Sequence, residues 1–172
     1  MSKKNLSDTA ATKTVFIDEV IWIALLNSKD KKHEKAVNLM KEILSSINKS
    51  EQSIFLSEYV FSEVLAHVTV RQKRMQLTKE ERRKYVQGAF RTIYNSRYVR
   101  ILATKPSDLG TAFEYMRNNP DLTASFADWM SIILVRRHGI SELVTVDPDF
   151  EKITKRIKPF STVSVRTVNL EP

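Results

Sequence analysis

A chain of 172 residues with 42% apolar side chains fits one domain that can bury its own core. Its 28 basic against 20 acidic residues leave a net charge of +8, which favours a polyanionic partner, nucleic acid before anionic membrane, with a merely basic surface as the plain alternative. The absence of cysteine excludes disulfides, thiolate metal sites and cysteine nucleophiles, and the three glycines (Gly88, Gly110, Gly139) cannot form a glycine-rich phosphate loop.

Residues 1–13 are polar and lack an apolar h-region, so they read as a disordered tail rather than a secretory signal, ahead of one domain over 14–172. No apolar run approaches the roughly 20 residues of a membrane span, so a cytoplasmic location and no membrane partner are expected. Residues 14–17 are a short β-branched and aromatic run, a first strand, with Asp18 at its end. Helices are expected over 19–27 and 30–47, the second from the spacing of Ala36, Val37, Met40, Ile43, Leu44 and Ile47. Residues 54–56 read as a buried strand running into a helix over 57–74. Thr78-Lys79-Glu80-Glu81 is a capping-box pattern that opens a helix to about residue 95. Residues 98–103 are a third strand, and Pro106 suits the first turn of a helix ending near Pro120. A helix over 125–138 closes at Gly139, residues 143–146 form a fourth strand, and 162–168 a fifth. Short apolar strands alternating with helices predict an α/β fold whose parallel sheet is covered on both faces. Ligands of such sheets bind beyond the carboxyl ends of the strands.

That rule draws attention to four acids. Asp18 follows the first strand and Asp147 the fourth; each alone is also an ordinary turn residue. Glu63 flanks the apolar stripe of Val60, Phe61, Val64, Leu65 and Val68, where, taken alone, it reads first as a solvated or snorkelling glutamate. Asp128 is the only charged residue between Phe126 and Val135, and a carboxylate in so apolar a helix is costly unless paired or metal-bound. Ser125-Phe126-Ala127-Asp128 is equally a capping box, which would explain the acid without any ligand. Taken together, the four suit Mg²⁺ or Mn²⁺, which prefer carboxylate oxygen. Such an ion relieves the mutual repulsion of clustered acids, makes water an accessible nucleophile and neutralises charge on a phosphodiester.

Five segments, in this order and spacing, carry a family resemblance: Phe16-Ile17-Asp18; residues 30–36, Asp-Lys-Lys-His-Glu-Lys-Ala; Leu56-Ser57-Glu58 through Ser62-Glu63-Val64-Leu65; Ser125-Phe126-Ala127-Asp128; and residues 143–150, Leu-Val-Thr-Val-Asp-Pro-Asp-Phe. With them the chain resembles the PIN-domain nucleases, especially the VapC-type toxins of bacteria and archaea, over about residues 15–160. The resemblance implies a three-layer sandwich, helices around a central parallel sheet of four to five strands. It further implies an acidic pocket of Asp18, Glu63, Asp128 and Asp147 that binds Mg²⁺ or Mn²⁺ and cleaves RNA internally. Asp149, Thr145 and Glu19 would be helpers, and a small antitoxin protein and a homodimer are the implied protein partners. One departure stands out: Glu19 and Val20 follow Asp18 where relatives usually carry Thr or Ser and then a small polar residue. Glu19 leaves open the alternative of a degenerate PIN module that binds RNA or protein without cutting.

The stretch 71–100 is rich in arginine and lysine, with Tyr85, Phe90, Tyr94 and Tyr98 among them. Its cations, Arg82, Arg83 and Lys84 above all, are candidates for RNA phosphates, while its aromatics are expected to pack as core rather than stack on bases. Lys155 and Arg156 lie in a second basic cluster after Asp147. His33, His67 and His138 are too scattered for a metal triad, and Trp22 and Trp129 are expected in the core.

Overall fold

The computed structural model describes residues 13–47, 52–70 and 77–171, with residues 68–70 as backbone only. The expected tail therefore lies outside the described residues except for Lys13, whose ammonium pairs with Glu142 at 3.2 Å. Arg71, Lys73 and Arg74 of the basic stretch lie outside them as well.

Five strands form one sheet: β1 (Val15–Ile17), β2 (Ile54–Ser57), β3 (Val99–Leu102), β4 (Glu142–Thr145) and β5 (Val165–Thr167). Every pairing is parallel, in the order β3-β2-β1-β4-β5. The helices between them are α1 (Glu19–Leu26), α2 (His33–Ser46), α3 (Glu58–Val70), α4 (Lys79–Ala89), α5 (Pro106–Asn118), α6 (Phe126–Arg137) and α7 (Asp149–Arg156). Val15, Phe16 and Ile17 are all fully buried, although successive side chains of a strand point to opposite faces. Only a sheet with helices on both faces hides such a run, and each large side chain so buried contributes about 1.5–3 kcal/mol. Trp22 and Trp129 are both 1% exposed, as core residues should be.

Local signals set most helix ends. The Thr78–Glu81 and Ser125–Asp128 capping boxes are both formed in full, and Gly139 takes the left-handed conformation (φ 60°) that ends the chain's exit from α6. Two departures from expectation matter. Residues 149–156, where the sequence suggests only a basic cluster and no element, form α7, whose acids Asp149 and Glu151 sit in the first turn and Lys155 and Arg156 in the last. The helix expected to continue to residue 95 widens after α4 into a π-helical turn, Phe90–Tyr94, with the Asn95 amide bonded to the Phe90 carbonyl at 2.8 Å. Ile93 stays in the core, whereas Phe90 and Tyr94 face solvent, so the expectation that these two aromatics are core is wrong.

The strand order has one consequence for function. From β1 the chain steps outward through β2 to β3, then returns to the other side of β1 for β4 and β5. The crossovers therefore diverge between β1 and β4, and the carboxyl ends of those two strands border a crevice.

Candidate functional site

Asp18 stands at that crevice. It is the N-cap of α1, its backbone amide donating to the Val144 carbonyl of β4 at 3.1 Å and its Oδ1 accepting from the Glu19 amide at 2.9 Å. Only 2% of it is exposed. Its Oδ2 accepts from the Thr145 hydroxyl at 2.6 Å, and Thr145 Oγ1 accepts in turn from the Asp147 amide at 2.9 Å. The pairing of Ile17 with Val144 thus becomes a side-chain link between the ends of β1 and β4. Asp147 Oδ1 accepts from the Asp149 amide at 2.8 Å, an Asx turn that holds its carboxylate above β4.

Asp128 and Glu63 approach from neighbouring elements. Asp128 Oδ2 accepts from the Ser125 amide at 2.6 Å, closing the capping box of α6. Its pKa is raised to about 6, chiefly by burial and also by the charges of Asp18 and Asp147, against the opposing Ser125 bonds. The capping and the clustered-acid readings of Asp128 are therefore both satisfied by one side chain. Glu63, on the second turn of α3, is reached by solvent, and its pKa is raised by partial burial, then by Asp128, then by Asp18. The structure so brings all four sequence-predicted acids into one electrostatic neighbourhood.

The Asp18 carboxyl is held well above its ordinary range, first by burial, then by the adjacent Glu19 carboxyl, through its hydrogen bond and its charge, with the Thr145 hydrogen bond working the other way. Glu19 thus lies against Asp18 as an added acid of the pocket. Asp149 has a different part. Its carboxylate is taken by the Thr123 hydroxyl and by Lys152 Nζ at 2.5 Å, which hold its pKa down, while its backbone amide orients Asp147. Lys152 belongs to the basic cluster that follows Asp147 and lies at i, i+3 from Asp149, whereas nothing in the sequence marks Thr123.

The donor set fits a hard divalent ion. All its members are carboxylates, and Asp18 and Asp128 are buried or half-buried acids that repel one another without a cation. The fit is one of chemistry: among the described residues, no three acidic or histidine side chains stand close enough together to hold one ion. Of the predicted cations, Arg83 and Lys84 are exposed, and Arg82 is half-buried with its Nε enclosed and unbonded among the described residues. Lys155 pairs with Glu151 at 3.0 Å, and Arg156 with Asp121.

This fold and these residues have known counterparts. The toxin VapC20 of Mycobacterium tuberculosis, described as cleaving the sarcin–ricin loop, superposes with a TM-score of 0.61 at 24% identity, over 81% of this chain and 94% of its own. FitAcB of Neisseria gonorrhoeae does so with a TM-score of 0.56 at 16% identity, over 91% of this chain and 98% of its own. These likenesses establish a shared fold. No curated protein sequence matches the chain. Residues 15–156, most of the chain and all four acids, match the model of the PIN domain, and the chain belongs to the PIN domain family.

Proposed function

We propose that this chain is a divalent-metal-dependent endoribonuclease, the toxin of a toxin–antitoxin pair, and that Asp18, Glu63, Asp128 and Asp147 carry its chemistry. The observation that supports this most is the setting of Asp18: a buried carboxylate at the β1–β4 crevice, fixed by Thr145 and within electrostatic reach of Glu63 and Asp128. Mg²⁺ or Mn²⁺ held by these acids would supply Lewis acidity, easing ionisation of water and neutralising charge on the scissile phosphate. The chain's own part is to hold the ligands. Thr145 and the Glu19 amide fix both oxygens of Asp18, the Ser125 amide fixes Asp128, and the Asp149 amide fixes Asp147. Glu63 stands at the solvent side, where a substrate phosphate would enter. RNA as substrate is in keeping with the sarcin–ricin loop cleaved by VapC20 and with the net charge of +8. Arg82, Arg83, Lys84, Lys155 and Arg156 are the proposed phosphate contacts; a small antitoxin and a second copy of the chain are the proposed protein partners.

A second reading, a PIN module that binds without cutting, is favoured by one observation: Glu19 lies against Asp18 and adds negative charge beside it. Labelled RNA and DNA incubated with the protein in Mn²⁺ or EDTA decide between them. Cleavage of RNA only, dependent on Mn²⁺ and lost in Asp18→Asn, is expected. An inert wild type whose Glu19→Thr variant cuts would assign the chain to the second reading.

A further inference from the structure

The outer face of α4 and of the π-turn that follows it is unlike the rest of the surface. Tyr85, Ala89 and Ile93 point into the core, so the fold needs nothing more from this helix. Yet Val86, Phe90 and Tyr94 are 43%, 48% and 61% exposed along one stripe. The Phe90 and Tyr94 rings stack on each other, centroids 5.1 Å apart and planes 19° from parallel. Between Arg82 and Ser107 the sequence has no Asp or Glu. Arg83, Arg91 and Arg97 are exposed, and among the described residues none of the three has a carboxylate in ion-pair reach; only Lys84 of this segment does, with Glu80 at 4.0 Å. Arg97 instead lies 4.7 Å over the Tyr98 ring.

Charge decides what occupant this face suits. A second copy of the chain would set Arg83, Arg91 and Arg97 against like charges. A polyanion with flat apolar groups satisfies both halves of the surface at once, phosphates on the arginines and bases on the rings. Duplex nucleic acid hides its base faces, so the matching ligand is unpaired. We propose that this face is a binding strip for single-stranded RNA, with unpaired bases stacking on Phe90 and Tyr94 and phosphates meeting Arg83, Arg91 and Arg97. The choice of RNA rests on the function proposed above; the strip itself requires no cleavage.

The test is anisotropy of a fluorescein-labelled oligouridylate in EDTA, with the full chain. Phe90→Ala/Tyr94→Ala removes no charge, so it should weaken binding about tenfold or more while leaving the slope of log K against log salt unchanged. Arg83→Gln/Arg91→Gln should flatten that slope by roughly 1.4, about 0.7 for each phosphate contact. Tyr94→Trp should keep wild-type affinity and lose indole fluorescence when RNA is added, a signature of stacking. All these positions are exposed, and unchanged melting curves will show that the variants fold. Wild-type affinity in Phe90→Ala/Tyr94→Ala overturns the strip. If that variant also sediments as a smaller species than wild type, the face belongs to a protein interface. RNA bound in EDTA but never cut in Mn²⁺ would sink the nuclease reading and leave the strip standing; RNA cut normally, with binding indifferent to Phe90 and Tyr94, would sink the strip alone.

Discussion

The Thr145 hydroxyl donates to Asp18 Oδ2, and its direction is fixed from behind. A hydroxyl has one proton, and Thr145 Oγ1 already accepts the Asp147 amide at 2.9 Å, so its own proton is aimed at Asp18, 2.6 Å away. One fully buried side chain on β4 therefore sets the carboxylate at the end of β1 and the backbone that presents Asp147. Hydrogen-bond partners of ligands act on metal affinity almost as ligands do.

Thr145→Val keeps the shape and removes both bonds. Divalent-metal affinity and RNA cleavage should each fall about 10- to 100-fold, while Thr145→Ser should stay near wild type. Calorimetric titration of Mn²⁺, with circular dichroism to confirm the fold, measures this. Equal affinity in the Val and Ser variants would show that Asp18 does not depend on the hydroxyl.

Asp128 predicts a pH effect with a definite sign. Its pKa rises from an ordinary 3.8 to about 6 on folding, so between those values the native state holds a proton that the unfolded chain releases. The unfolded state then binds fewer protons, and stability must fall as pH rises from about 4 to about 6. Asp18, raised by burial, acts in the same direction. In EDTA, Asp128→Asn should lose its share of this fall and be more stable than wild type at pH 7, since its amide oxygen can still accept the Ser125 N–H. Urea unfolding across this pH range would show it. A variant less stable than wild type at pH 7 would mean that the cap outweighs the repulsion.

How much of this was legible depended on what kind of force fixed each part. Asp18 and Asp147 were readable because a strand's length and its closing acid are local, but their adjacency needed the β1–β4 pairing, which no local pattern encodes. Asp128 was ambiguous because a capping box and an acid of a clustered pocket present the same four letters, and in the structure the residue closes the cap while lying within reach of the charges of Asp18 and Asp147. Phe90 and Tyr94 were misread because aromatic side chains were assigned to the core by type, whereas Tyr85, Ala89 and Ile93, four apart, fill the buried face and leave Phe90 and Tyr94 one position round from it. Helix α7 was missed although its signals are present, Phe150 and Ile153 at i, i+3 with acids in the first turn and bases in the last, because it spans only eight residues and directly follows the Asp147-Pro148 turn. The engagement of Asp149 by Thr123 is a contact across 26 residues of sequence and left no trace there.

Divalent metal should stabilise the fold through the acidic pocket. Without a cation, Asp18, Asp128 and Glu63 raise one another's pKa or are raised by burial, so ionising them at neutral pH costs native stability. A cation that binds only the native arrangement of these acids removes that cost and shifts the folding equilibrium by mass action. At ~100 times its dissociation constant the gain is about 2.7 kcal/mol. For a domain of this size, that is a rise of roughly 5–10 °C in melting temperature. Mn²⁺ should act at lower concentration than Mg²⁺, because its affinity for oxygen and mixed sites is generally the greater. The shift should vanish in an Asp18→Asn/Asp147→Asn double variant, which keeps the shape of the pocket and removes two of its charges. It should also shrink as pH falls toward 5, where Asp128, with its pKa raised to about 6, holds a proton that competes with the ion. Thermal melts in EDTA and in millimolar Mn²⁺ at pH 5 and 7 contain all of these comparisons. Superimposable curves at pH 7 would remove the metal from the proposal and with it the nuclease, leaving the reading in which Glu19 marks a module that only binds.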